Sequence, residues 1–128
     1  MAKKEIKTAL APAAIGPYSQ AVRAGNMIFL SGQIPLDPAT GEMVKDGIGG
    51  QTRRVLENLK AVLKEADSGL EDVVKTTVFM KDLAQFSEMN AVYGEFFKTP
   101  HPARATVQAA ALPKDAAIEI DAIAVIGG

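Results

Sequence analysis

The chain has 128 residues, 48% of them hydrophobic and 23% charged, and its fourteen Lys and Arg against fifteen Asp and Glu leave a net charge of −1. That is enough apolar mass for one core and too little length for two, so a single domain over residues 1–128 is expected, and the near-neutral balance argues against a duplex-binding or polybasic membrane-surface protein. The absence of cysteine removes disulfides, thiolate metal sites and thiol nucleophiles, and the lone histidine excludes a site needing two imidazoles from one chain.

The first six residues carry two lysines with no apolar stretch behind them, unlike a secretory signal, and no run reaches the length of a bilayer span. A soluble, cytoplasmic protein is the simplest expectation. Residues 4–7 suit a short edge strand. Residues 9–17 hold two prolines and a glycine and read as an ordered loop ending at Tyr18. Residues 20–24 and 27–31 flank Gly25-Asn26, a two-residue hairpin signal. Gly32 follows, then a short run over 33–36 and a turn over 37–41.

The clearest helix spans residues 50–68, where Val55, Leu56, Leu59, Val62, Leu63 and Ala66 form one stripe at helical spacing. Gly69 stands where a left-handed C-cap is expected. Residues 73–80, rich in Val, Thr and Phe, read as a strand. A second helix follows with Phe86, Met89, Val92, Tyr93, Phe96 and Phe97 as its apolar face, and Pro100 and Pro102 close it off. Residues 104–112 and 117–126 read as a C-terminal hairpin turning at 113–116. Two helices with one apolar face each belong side by side on one face of a single mixed sheet, an α+β sandwich. The last strand is apolar on both faces, with Ile123 and Val125 opposite Ile118 and Ile120. Such a strand is usually covered on both sides, so an oligomer is expected.

Arg104 lies between alanines and Glu119 between isoleucines. A guanidinium fork grips a carboxylate, and a sheltered carboxylate can hold a water and move protons. The plain alternative is an ordinary ion pair, or two solvated side chains. In the expected hairpin Glu119 would pair with Ala110, six residues from Arg104. That is roughly 20 Å at about 3.3 Å per residue, so a shared site would draw on two subunits. Ser31-Gly32, at a strand end, offers backbone amides to a carboxylate or oxyanion, or simply ends a strand. Tyr18 follows the rigid Gly16-Pro17 and suits a pocket wall or ordinary packing. Asn90 falls off the main apolar stripe of the second helix and suits an exposed helix position. His101, between two prolines, has no triad spacing around it and reads as a loop residue. The Gly47-Ile48-Gly49-Gly50 run lacks the ending of a phosphate-binding loop and reads as a flexible lead into the first helix.

Taken together, Ile15-Gly16-Pro17-Tyr18-Ser19-Gln20-Ala21, Ser31-Gly32-Gln33, the segment from Gln51-Thr52 to Asn58-Leu59, Val74-Lys75-Thr76-Thr77-Val78-Phe79, Pro102-Ala103-Arg104-Ala105-Thr106-Val107, Leu112-Pro113-Lys114-Asp115 and Ile118-Glu119-Ile120-Asp121-Ala122 resemble the RidA/YjgF-like reactive-intermediate deaminases. The likeness runs nearly end to end, without large gaps. It implies a chorismate-mutase-like fold, a homotrimer with clefts between subunits, and hydrolysis of 2-aminoacrylate- and 2-iminobutyrate-type enamines and imines to 2-keto acids and ammonia. No cofactor and no metal are implied. Carried over by position, Arg104 would hold the substrate carboxylate and Glu119 would position the attacking water. Ser31 and Gly32 would supply backbone contacts, while Tyr18 and Asn90 would line the cleft. Thr106 stands where some members carry cysteine, so cysteine-dependent behaviour is not expected here. Asp121 stands where glutamate is common. Two other readings stay open: a single-stranded-RNA ribonuclease or translation inhibitor, and a non-catalytic module binding 2-keto acids or amino acids. The near-neutral charge and sparse aromatics weigh against the first.

Overall fold

A computed structural model describes residues 2–127. Six strands, β1 (Lys4–Ile6), β2 (Ala21–Ala24), β3 (Met27–Gln33), β4 (Val73–Met80), β5 (Ala103–Gln108) and β6 (Ile118–Val125), form one sheet in the order β1-β2-β3-β6-β4-β5. β4 and β5 run parallel and every other pair is antiparallel, so the sheet is mixed as expected. Two helices, α1 (Gly47–Glu65) and α2 (Phe86–Phe96), cover one face. Among the described residues no helix is long and apolar enough to cross a membrane.

Local chemistry explains most boundaries. Gly25 adopts φ 63° at the first position of the β2–β3 turn, the position where a tight two-residue hairpin wants glycine. In α1, Val55, Leu56, Leu59, Val62 and Leu63 are fully buried against the sheet. The Gly47-Ile48-Gly49-Gly50 run is not a lead-in loop but the first turn of α1 itself, with Ile48 buried beneath it. α1 ends by a Schellman arrangement: the Ser68 amide donates to the Leu63 carbonyl and the Asp67 amide to that of Lys64. The left-handed residue there is Asp67, with φ 56°, and not Gly69, which is extended at φ −154°. Aspartate tolerates this conformation better than most side chains.

Buried polar side chains pin the loops to this frame. Asn58, fully buried on α1, donates to the carbonyls of Leu36 (3.0 Å) and Ile34 (3.4 Å) and accepts from Arg54 Nε. Gln20 accepts from the Thr8 amide and donates to the carbonyls of Thr8, Ala11 and Pro12, fixing the loop that leads to Tyr18. Among the described residues no buried side-chain nitrogen or oxygen lacks a partner.

The C-terminal hairpin is the main correction. β5 and β6 do not pair; β4 lies between them. The chain leaving β5 passes across the end of β4, where the Ala109 amide donates to the Met80 carbonyl and the Lys81 amide to that of Ala117. A short turn at Pro113–Asp115, with Lys114 and Asp115 both left-handed, then reverses the chain into β6. Proximity in sequence suggested direct pairing, but the connection is long enough to straddle one strand, and β4 gains a partner on each side.

Candidate active site

The strand register decides where the candidate residues point. Arg104 sits opposite Thr76, Thr76 opposite Ala122, Ala122 opposite Leu30, and Leu30 opposite Ala21. All but Arg104 are buried in that row, which faces the helices. Glu119 sits opposite Phe79, and Phe79 opposite Val107, in a row on the open face. Strand side chains alternate between faces, and Glu119 is an odd number of residues from Ala122. Arg104 and Glu119 of one chain therefore project from opposite sides of the sheet. This replaces the hairpin separation of roughly 20 Å, which rested on a pairing the fold does not contain.

On the helix side, α2 presents Phe86, Asn90 and Tyr93 to Arg104, at spacings of four and three that place them on one face. Arg104 Nη1 donates to Asn90 Oδ1 at 2.7 Å. Its guanidinium carbon lies 4.7 Å from the Tyr93 ring centre and 5.5 Å from that of Phe86. The Tyr93 hydroxyl is bonded to Thr76 Oγ1 at 2.8 Å, and burial raises its pKa above the ordinary value. Among the described residues the ion pairs are Arg53–Glu95 and Lys81–Asp115, so no carboxylate neutralises Arg104. Arg104, Asn90, Tyr93, His101 and Pro102 line a cavity of about 370 Å³. A guanidinium has five N–H donors, and the Asn90 bond leaves most of its fork for an anion.

On the open side, β3 carries a bulge: Leu30 pairs with Ala122 and Gln33 with Ile120, leaving Ser31 and Gly32 opposite Asp121. Ser31 ties this bulge to the preceding loop, its hydroxyl donating to the Ser19 carbonyl (2.6 Å) and its amide to that of Gln20 (2.9 Å). Gly32 makes room for Glu119, since a Cβ there would overlap the Glu119 carboxylate. Burial, and after it the charge of neighbouring Asp121, pushes the Glu119 carboxyl above its ordinary pKa. Tyr18 is 54% exposed and lines a cavity of about 310 Å³ with Gly32, Ala13 and Lys114.

The candidates thus fall into two groups, Arg104 with Asn90, and Glu119 with Ser31, Gly32 and Tyr18. Asn90 lies off the main apolar stripe and is exposed, as expected, but it shares a second stripe with Phe86, and Tyr93 belongs to both. Reading positions 86, 90 and 93 at spacings of four and three would have found it. Tyr93 and Phe86, which pack in and against the core, and His101, in a loop, also stand around Arg104 or its cavity. Among the described residues no group of three His, Cys, Asp or Glu could hold a metal ion.

A family model described as Endoribonuclease L-PSP matches residues 8–126. The chain is 57% identical over 124 residues to a RutC family protein of Pyrococcus abyssi, covering 97% of this chain and 98% of that one. It is 47% identical over 124 residues to the chloroplastic Reactive Intermediate Deaminase A of Arabidopsis thaliana, covering 97% of this chain and 66% of that protein. The crystal structure of E. coli TdcF with bound serine superimposes with a TM-score of 0.91 at 48% identity, over 97% of this chain and 99% of that one.

Proposed function

Since the chain belongs to the RidA/YjgF family, the one covered by the Endoribonuclease L-PSP model, we propose that it is a cofactor-independent deaminase of imino and enamino acids. Its substrates are of the 2-aminoacrylate and 2-iminobutyrate type, and its products are 2-keto acids and ammonia. The observation that carries the reading is Arg104: a guanidinium held by Asn90, Phe86 and Tyr93, in no ion pair among the described residues, beside a small cavity. A deaminase among the relatives and an amino acid bound to another support a substrate of that size and charge.

In this mechanism Arg104 binds the substrate carboxylate through its free N–H groups. Glu119 accepts a proton from water as the water oxygen bonds to the carbon of the protonated imine, whose C=N π pair moves onto nitrogen. The resulting carbinolamine breaks its C–N bond when Glu119 returns its proton to the nitrogen, and ammonia leaves with the bonding pair as the hydroxyl gives up its proton to water and the carbonyl forms. A carboxyl with a raised pKa is well suited to both transfers, because its proton affinity lies nearer neutrality. The protein's contribution is chiefly orientation, since an imine hydrolyses readily once held and protonated.

Because the two groups lie on opposite faces of one sheet, each site pairs Arg104 of one subunit with Glu119 of another, in a homotrimer. Replacing Arg104→Ala is expected to lower kcat/KM for 2-iminobutyrate hydrolysis by about 10- to 100-fold, the worth of a charge-assisted hydrogen bond, with assembly intact. An unchanged rate would remove Arg104 from the site. The matched model's description names an endoribonuclease, but a net charge of −1 and 5% aromatic residues offer little of the basic, aromatic-lined track on which single-stranded RNA is held.

A further inference from the structure

Resting on the reading of Arg104 as the carboxylate anchor, we propose that Tyr93, locked by the Thr76 hydroxyl, is a positioning residue that sets the plane of the Arg104 guanidinium and thereby the affinity for an anionic substrate. The two hydroxyls are not required for packing. Thr76 is fully buried and Tyr93 is 5% exposed, and a valine and a phenylalanine would fill nearly the same space. Burying two hydroxyls is tolerable only because each satisfies the other, at 2.8 Å. What the pair adds is direction.

The three residues form a closed loop of constraints. Thr76 and Arg104 are directly opposed in the β4–β5 pair. Thr76 is bonded to Tyr93, and the Tyr93 ring lies under Arg104 at 4.7 Å, closer than Phe86 at 5.5 Å. The ring is therefore fixed from the strand neighbouring the arginine's own. Asn90 restrains one guanidinium nitrogen but leaves the group free to swing about that bond. An aromatic face beneath a cation removes this freedom while leaving most of its N–H groups for an anion.

The experiment uses the full chain with 2-iminobutyrate generated in situ, comparing wild type, Tyr93→Leu and the shape-conserving double variant Thr76→Val/Tyr93→Phe. Tyr93→Leu is expected to raise KM by about 3- to 30-fold with kcat within about twofold, as loss of a cation–π contact to a ground-state binding group should. The double variant, which leaves no hydroxyl unpaired, is expected to unfold close to the wild-type midpoint yet keep KM raised by about 2- to 5-fold. A second readout does not depend on turnover: the ring current of Tyr93 should displace the Arg104 side-chain proton resonances, and Tyr93→Leu should abolish that displacement. A wild-type KM in the double variant, or an Arg104 resonance unmoved by Tyr93→Leu, overturns the positioning role. If wild type gives no acceleration, or Arg104→Ala matches it, the deaminase reading has failed instead, and the Arg104 resonance alone decides the positioning claim.

Discussion

Glu119 and Gly32 show how a single position can be shaped by the needs of another. The sequence marks Gly32 as a place where a ligand could approach the backbone, but the structure gives that space to the Glu119 carboxylate. Glu119 in turn carries a cost. Its folded-state pKa is raised, by burial first and by Asp121 second, so protonation is easier in the folded chain than in the unfolded one. The stability it allows is fully present below the unfolded pKa and is lost as pH rises through the folded one. Glu119→Gln, which cannot ionise, is therefore expected to have a higher unfolding midpoint than wild type at pH 7, with the gap closing by about pH 3.5. A midpoint lowered at neutral pH would contradict the assignment. The role of Glu119 was suggested by a carboxylate flanked by isoleucines. Its neighbour's role was not legible, because nothing in the sequence says which side chain lies across a bulge.

At the scale of elements, β3 and α2 do most to build the candidate site. The bulge at Ser31 and Gly32 turns the strand locally and is tied to the Tyr18 loop through Ser31. Replacing Gly32→Ala is expected to push the Glu119 side chain aside from its γ-carbon outward while leaving the backbone in place, so the unfolding free energy should change by no more than about 1 kcal/mol. kcat should nonetheless fall severalfold, since the base is displaced, and an unaltered kcat would show that Glu119 need not sit there. α2 carries two stripes, one into the core through Met89 and Val92 and one onto Arg104 through Phe86 and Asn90, with Tyr93 between them. Periodicity revealed the first because it is uniformly apolar. The second mixes an amide with aromatics, and an apolar count discards it. β4 and the β2–β3 hairpin were legible because their signals are local, in β-branched residues and a glycine turn. The placement of β5 was not, because it depends on a connection that crosses the end of β4.

For the whole molecule, one face of the sheet is covered by two helices and the other, among the described residues, by no helix or second sheet. Phe29 and Val107 are each 43% exposed on that open face, with Phe79 and Ile123 half-buried between them. The two-sided apolarity of β6 was visible in the sequence, and the structure traces it to this unshielded face. The division of the candidate residues between faces gives the same face a chemical meaning, for a site using both Arg104 and Glu119 requires a second copy of the chain. The most direct test is co-expression of Arg104→Ala and Glu119→Gln chains in equal amounts. With one residue from each of two neighbouring subunits, random mixing leaves about a quarter of the sites with both intact, so the mixture should recover about a quarter of wild-type imine hydrolysis from two nearly inactive parents. Mixed assemblies no more active than the parents would contradict a site shared between chains.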